Sequence, residues 1–226
     1  MKIENVFFDF GGTIDAPGLH PRKVFWDAFL KANLFAGSDR DDFQKAYSLA
    51  DQKMLADGSA KNLNLGEFNR YNCELILDFL GKDRSLSETP ATAITDEMTV
   101  YIRGTVPVIS ALGKTLPLGL ISNFTGNLAV ILREFQMRDL FQTVTESFYV
   151  GCAKPDEEIF KNALRAAKAH PKNSVYVGDN EKNDIIPAKK LGFHTVLIRP
   201  KNVQDPTAAD LVIQDLRDLA EFIQSK

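Results

Sequence analysis

Five polar side chains stand out because each ends a short apolar run or sits in a loop marked by Gly and Pro. Asp9 follows Val6-Phe7-Phe8, and Ser122 follows Leu118-Gly119-Leu120-Ile121. Lys154 lies in Gly151-Cys152-Ala153-Lys154-Pro155-Asp156. Asp179 comes just past Ser174–Val177, with Asp184 five residues further on. Three carboxylates brought together repel one another, and a hard divalent cation resolves that repulsion. Mg²⁺ suits the task because it takes one or two carboxylates together with waters and substrate phosphate. A phosphoryl group beside them needs positive charge and hydrogen-bond donors, which Lys154, Ser122 and nearby backbone N–H groups supply. A carboxylate can attack phosphorus to form an aspartyl-phosphate. No GxSxG elbow offers a competing nucleophile.

These residues need elements that bring them to one place. The apolar runs before Asp9, Ser122 and Asp179 read as strands buried on both faces, as in a parallel sheet. Between Pro21 and Arg103 the pattern is helix after helix. Val24, Phe25, Ala28, Phe29 and Ala32 recur at helical spacing, as do Phe43, Ala46, Tyr47, Ala50 and Met54, with Gly58 as a stop. Phe68, Tyr71, Leu75 and Phe79 form a third stripe that Gly81 ends, and Asp83–Pro90 reads as a loop. From Val106 onward helices and strands alternate: a short helix over Val106–Leu112, a strand over Leu118–Ile121, a helix over Leu128–Phe135 and a weaker strand over Thr143–Glu146. A helix over Glu157–Ala167 with Asp156 as its cap comes next, then a strand over Ser174–Val177 and a helix over Ile185–Leu191. Asp184 is the expected N-cap of that last helix, which places Pro187 in its first turn, and Gly192 is its stop. Thr195–Ile198 and Leu211–Ile213 read as strands and Leu216–Ile223 as a closing helix. The expected fold is therefore α/β, a parallel sheet with helices on both faces and an all-helical block inserted after the first strand. Ligands of such sheets bind outside the carboxyl ends of the strands, where the five polar residues fall.

The bulk composition narrows the partners. A net charge of −3 and a pI near 5.7 give no overall electrostatic footprint for nucleic acid or an anionic membrane. Cys73 and Cys152 form no CxxC pair, which argues against a disulfide scaffold or a structural zinc and suits a reducing compartment. The apolar start is broken by Asp9 and is too short for a signal peptide or a membrane span. A cytoplasmic protein, monomeric or homodimeric, is expected.

Four segments together resemble the motifs of the haloacid dehalogenase-like hydrolase superfamily. Asp9-Phe10-Gly11-Gly12-Thr13 looks like the first and Leu120-Ile121-Ser122-Asn123 the second. Lys154-Pro155-Asp156 with Ile159-Phe160 looks like the third, and Val177-Gly178-Asp179-Asn180 through Asn183-Asp184 the fourth. They stand in the family's order and span Val6 to Leu197. The resemblance implies a Rossmann-like core from residues 1–16 and 104–226 with a helical cap from residues 17–103. It also implies a magnesium-dependent phosphatase acting on a small phosphorylated metabolite. Asp9 would be the nucleophile and a metal ligand, Gly11 would offer its backbone carbonyl to the metal, and Asp179 and Asp184 would complete the metal site. Ser122, the Asn123 backbone and Lys154 would hold the phosphoryl oxygens, and Thr13 would stiffen the nucleophile loop.

One position departs from the family's phosphatases. They usually carry a second aspartate two residues after the nucleophile, as acid and base for the leaving alcohol and the hydrolytic water, and here that residue is Gly11. Losing a placed acid–base group typically costs about 10² to 10⁴ in rate. One reading keeps the phosphatase and takes the proton from Asp15 or His20, or uses a substrate with a good leaving group. A second is the metal-independent 2-haloacid dehalogenase branch, against which the intact Gly178-Asp179 pair stands. A third is a catalytically impaired protein that binds a ligand or partner. His170 and His194 read as structural, Trp26 as helical-block core, and Arg22, Lys23 and Arg103 as solvated charges.

Overall fold

The protein is described from a computed structural model that covers residues 2–35 and 40–224. Its centre is a six-stranded sheet of β1 (Asn5–Phe8), β2 (Leu118–Ser122), β3 (Thr143–Glu146), β4 (Ser174–Gly178), β5 (His194–Ile198) and β6 (Leu211–Ile213), in the order β3-β2-β1-β4-β5-β6. Every pairing is parallel, with Phe8 opposite Leu120 on one side and Val177 on the other. Strands covered on both faces need no polar alternation, and β2 and β4 are buried along their whole length. Phe8 belongs to the larger hydrophobic core, while Phe7 packs in a second core with Ile121, Phe160 and Phe193. The chain turns to one side of β1 for β2 and to the other for β4, so the crevice at their carboxyl ends is a topological switch point.

Between β1 and β2 run α1 (Pro21–Lys31), α2 (Arg40–Asp57), α3 (Leu65–Phe79) and α4 (Glu88–Gly113). Pro21 opens α1 at a position where no N–H is needed, and His20 Nδ1 accepts from the Arg22 N–H to cap it. Asn64 and Glu67 form a capping box on α3. The helices pack through an aromatic knot in which Trp26, Phe29 and Phe35 surround Phe43. Gly58 and Gly81 end α2 and α3 with positive φ, as their positions in the sequence led one to expect.

Two expectations need correction here. The loop expected over Asp83–Pro90 is a 3₁₀ turn at Arg84–Ser87 that runs straight into α4. The separate helix expected over Val106–Leu112 is the end of α4, which passes through Gly104 and Pro107 without stopping. Gly and Pro look like punctuation locally, but Ile94, Met98, Ile102, Thr105, Ile109 and Leu112 form one buried stripe that holds the helix together.

After β2 come α5 (Leu128–Glu134), the single turn α6 (Ser147–Val150), and α7 (Glu157–Ala167) with Asp156 as its cap. A π-turn at Glu181–Ile185 leads into α8 (Ile186–Leu191), and α9 (Leu219–Gln224) closes the described chain. Asp184 is not the cap of this region. Asn180 takes that role through bonds from the Lys182 and Asn183 N–H groups, while Asp184 points inward from within the turn. Pro187 does lie in the first turn of α8. Both cysteines are free, and no helix among the described residues is long and apolar enough to cross a membrane.

Candidate active site

Asp9, Ser122, Lys154, Asp179 and Asp184 all reach one cleft of about 310 Å³ between the strand ends and the helical block. Asp9 sits one residue beyond β1, its N–H bonded to the Val177 carbonyl of β4 at 2.9 Å. The chain then tightens into a turn in which the N–H groups of Thr13, Ile14 and Asp15 all point at the Phe10 carbonyl. The Gly11 carbonyl takes no part in that turn.

The Asp9 carboxylate is held by one oxygen. Its Oδ1 accepts from Ser122 Oγ at 2.8 Å and pairs with Lys154 Nζ at 2.8 Å. Its Oδ2 accepts from no donor among the described residues. Lys154 Nζ also reaches Asp184 Oδ1 at 2.7 Å and the Tyr176 hydroxyl at 3.2 Å. Asp184 has further donors: Tyr176 donates to its Oδ1 at 3.0 Å, and the Asn180 N–H donates to its Oδ2 at 3.0 Å, which leaves Oδ2 able to accept once more. Burial alone would lower the Lys154 pKa, but Asp184 and Asp9 override it and hold the ammonium above its ordinary value.

Oxygens of Asp9, Asp179 and Asp184 lie within 4.8 Å of one another. Lys154 neutralises part of this charge but pairs with only two of the three carboxylates, Asp9 and Asp184. Asp179 has no ion pair or hydrogen-bond donor among the described residues. Burial first, then the charges of Asp184 and Asp9, push its pKa far above the carboxylate range. A site with three carboxylates and a single cation, in a cleft that Gly11 also lines, has the oxygen donors that a hard divalent ion takes.

Two glycines make the approach possible. Gly12 has a positive φ of 76°, and a Cβ there would overlap the Asp179 carboxylate. A Cβ on Gly178 would come within 2.5 Å of Asp184 Cβ. Both positions need the missing side chain.

The structure places the remaining expected residues less uniformly. The Asn123 side chain clamps the Lys154 backbone, donating from Nδ2 to its carbonyl at 2.9 Å and accepting its N–H at Oδ1 at 2.7 Å. This pair fixes the loop that delivers the lysine, which carries a cis Lys154–Pro155 peptide. Thr13 is buried with an unpartnered Oγ1 and does not line the cleft. Asp15 does line it; its Oδ1 accepts the Gly12 N–H at 2.6 Å, and burial pushes its pKa to about 7. His20 stands at the exposed rim with Nδ1 committed to capping α1. Trp26 is core and does not line the cleft. His170 caps a 3₁₀ turn, Lys23 pairs with Asp27, and Arg103 is exposed.

Arg22 departs from its expected solvated state: it is half-buried in the cleft wall, over the Tyr47 ring at 5.3 Å. Sequence reading missed Tyr176 and Asp51. Tyr176 stands two residues before Gly178 on a strand buried on both faces, where a hydroxyl must find a partner; that was the available signal. Asp51 gave none, because a polar residue on an amphipathic helix ordinarily faces water.

Comparison with known proteins identifies the family. The sequence profile described as haloacid dehalogenase-like hydrolase matches residues 29–198. The chain is 40% identical over 86 residues to haloacid dehalogenase-like hydrolase domain-containing protein 3 of Xenopus laevis, covering 38% of this chain and 35% of that protein. It spans about two fifths of the length of several curated relatives that it matches. It is 32% identical over 210 residues to the glyceraldehyde 3-phosphate phosphatase of Methanopyrus kandleri, covering 90% of this chain and 87% of that protein. Its fold is similar to a 2-haloacid dehalogenase from Pseudomonas syringae pv. Tomato, with a TM-score of 0.58, 21% identity and 99% of both chains covered.

Proposed function

The chain belongs to the haloacid dehalogenase-like hydrolase family, and we propose that it is a hydrolase, a magnesium-dependent phosphatase of small phosphomonoesters with Asp9 as nucleophile. The observation that carries this reading is the three-carboxylate cluster, in which Lys154 pairs with Asp9 and Asp184 and leaves Asp179 without a cationic partner. Attack on the carbon of a haloacid needs no cation and gives no reason for that third carboxylate. A related fold does not decide the matter, because the same fold occurs in a dehalogenase.

Asp9, Asp179, Asp184 and the Gly11 carbonyl would hold the ion. When bound, Mg²⁺ supplies positive charge that offsets the carboxylates and the phosphoryl oxygens. Asp9 Oδ2, the oxygen without a donor, attacks phosphorus, and the P–O bond to the leaving alcohol breaks. Ser122 and Lys154 hold Asp9 Oδ1 and so fix the direction of attack. The Lys154 charge beside Asp9 also favours the negative charge that develops on the phosphoryl oxygens. Water then cleaves the aspartyl-phosphate and restores Asp9. Asp15, half-protonated near pH 7 and lining the cleft, supplies the proton to the alcohol and takes one from the water in place of the residue that Gly11 replaces. Residues 17–103 act as a cap that walls the reaction off from bulk water.

The test is p-nitrophenyl phosphate turnover with and without Mg²⁺, run beside chloride release from a 2-chloroacid. Mg²⁺-dependent phosphate release that is absent in Asp9→Asn is expected. Metal-independent chloride release, or silence toward phosphate esters with Mg²⁺ bound, would overturn the reading.

A further inference from the structure

The cleft extends past the carboxylates into the helical block, where Phe25, Leu65, Phe68 and Met98 make an apolar wall. Two charged groups interrupt this wall. Asp51 on α2 is half-buried and has no hydrogen bond or ion pair among the described residues. Arg22 on α1 is held over Tyr47 and donates from one terminal nitrogen to Ser48 Oγ at 3.3 Å, but its Nε is buried without a partner. The two are near enough to influence each other's charge, yet form no ion pair within 4.0 Å. A half-buried carboxylate without a partner and a buried guanidinium nitrogen without one, both in the cleft wall, carry a desolvation cost. They make sense if a bound molecule satisfies both.

We propose that Asp51 and Arg22 together recognise a hydroxyl on the leaving-group end of the substrate. A hydroxyl donates one bond and accepts another, so it serves the carboxylate and the guanidinium at once. An ammonium would serve Asp51 and be repelled by Arg22, and a carboxylate would do the reverse. The apolar wall covers the rest of the leaving group. The substrate class is thus a monophosphate of a hydroxylated alcohol or phenol with an apolar face, of a size that a cleft of about 310 Å³ admits. This assignment rests on the phosphatase reading and narrows it.

The test compares 4-(hydroxymethyl)phenyl phosphate with 4-methylphenyl phosphate, which differ by one oxygen far from the phosphorus. Wild-type protein with Mg²⁺ is expected to favour the hydroxylated ester by roughly 10- to 100-fold in kcat/KM, the range of one or two bonds to charged groups. Asp51→Leu should bring that ratio close to one, and Asp51→Asn, which keeps an acceptor, should leave part of it. A ratio of two substrates is unaffected by the fraction of variant that folds. Calorimetric binding of both esters to Asp9→Asn should show the same ranking without any turnover. A wild-type ratio near one, or a preference that survives in Asp51→Leu, would overturn the assignment. If neither ester is hydrolysed but the hydroxylated one still binds more tightly through Asp51, the phosphatase reading fails and the recognition site stands.

Discussion

Lys154 Nζ lies 2.7 Å from Asp184 Oδ1, and both side chains are almost wholly shut off from solvent. Removing one partner of a buried ion pair strands the other. Lys154→Met should therefore lower stability by about 3–5 kcal/mol. Chemical unfolding in the absence of metal measures it. A loss below about 1 kcal/mol would mean that the pair is solvated in solution.

Asp179 is the carboxylate that Lys154 does not reach. Its raised pKa means that its stability contribution is complete below the unfolded carboxylate pKa and is lost as pH rises. Metal-free protein should thus weaken above about pH 4. Asp179→Asn should stabilise the metal-free protein at neutral pH and abolish its response to Mg²⁺. In the wild type, Mg²⁺ at 100 times its Kd should add about 2.7 kcal/mol. Thermal melts across a magnesium titration provide the comparison. An equal Mg²⁺ shift in both proteins would remove Asp179 from the metal site.

Glu146, at the end of β3, accepts the Gly126 N–H, and burial pushes its pKa to about 7 from an ordinary 4.5. Stability from its protonated form is complete below pH 4.5 and fades as pH rises toward 7. Glu146→Gln should match wild type near pH 4.5 and exceed it by about 3 kcal/mol at pH 8, at about 1.36 kcal/mol per pKa unit. Denaturation at the two pH values tests it; a constant difference would contradict the burial argument.

Gly12→Ala adds a methyl group where the Asp179 carboxylate stands, on backbone with φ of 76°. Roughly 1–3 kcal/mol of backbone strain is expected, together with weakened Mg²⁺ binding by calorimetry. Gly113→Ala, whose new methyl group would meet Leu118 at 3.4 Å and the Leu140 carbonyl at 3.8 Å, serves as the control and should leave the Mg²⁺ affinity unchanged.

If Asp15 moves the proton, Asp15→Asn should cut kcat on alkyl phosphates by roughly 10²- to 10³-fold and on p-nitrophenyl phosphate much less, because nitrophenolate leaves without help. The wild-type pH profile should show a limb near 7 that the variant lacks. Equal losses on both substrates would assign Asp15 to the turn alone. Gly11→Asp should favour alkyl phosphates only if Pro21 shifts, since its Cγ lies 3.2 Å from the position of the new Cβ.

The strands, their order of use and the residues at their ends were legible in the sequence because short apolar runs followed by a polar residue have few other meanings. The division of α4 was not. Gly104 and Pro107 carry a local signal to stop, and only the tertiary stripe from Ile94 to Leu112 overrides it. Asp184 likewise read as a cap because a cap and an inward-facing ligand occupy the same place in sequence; the bonds from Lys154, Tyr176 and the Asn180 N–H separate them. Asp51 and Arg22 stayed hidden because their meaning depends on what lies across the cleft from them.

α4 has a mechanical consequence. One unbroken helix carries both the face that meets α1 and α3 and the end that lies against Leu118 of the sheet. The helical block therefore cannot swing on a slack tether. Any opening would flex a stiff beam, and Pro107, which supplies no N–H to the helical ladder, is a weak point along that beam. Stiffening it with Pro107→Ala should slow exchange of whatever occupies the cleft while leaving every wall of the cleft in place.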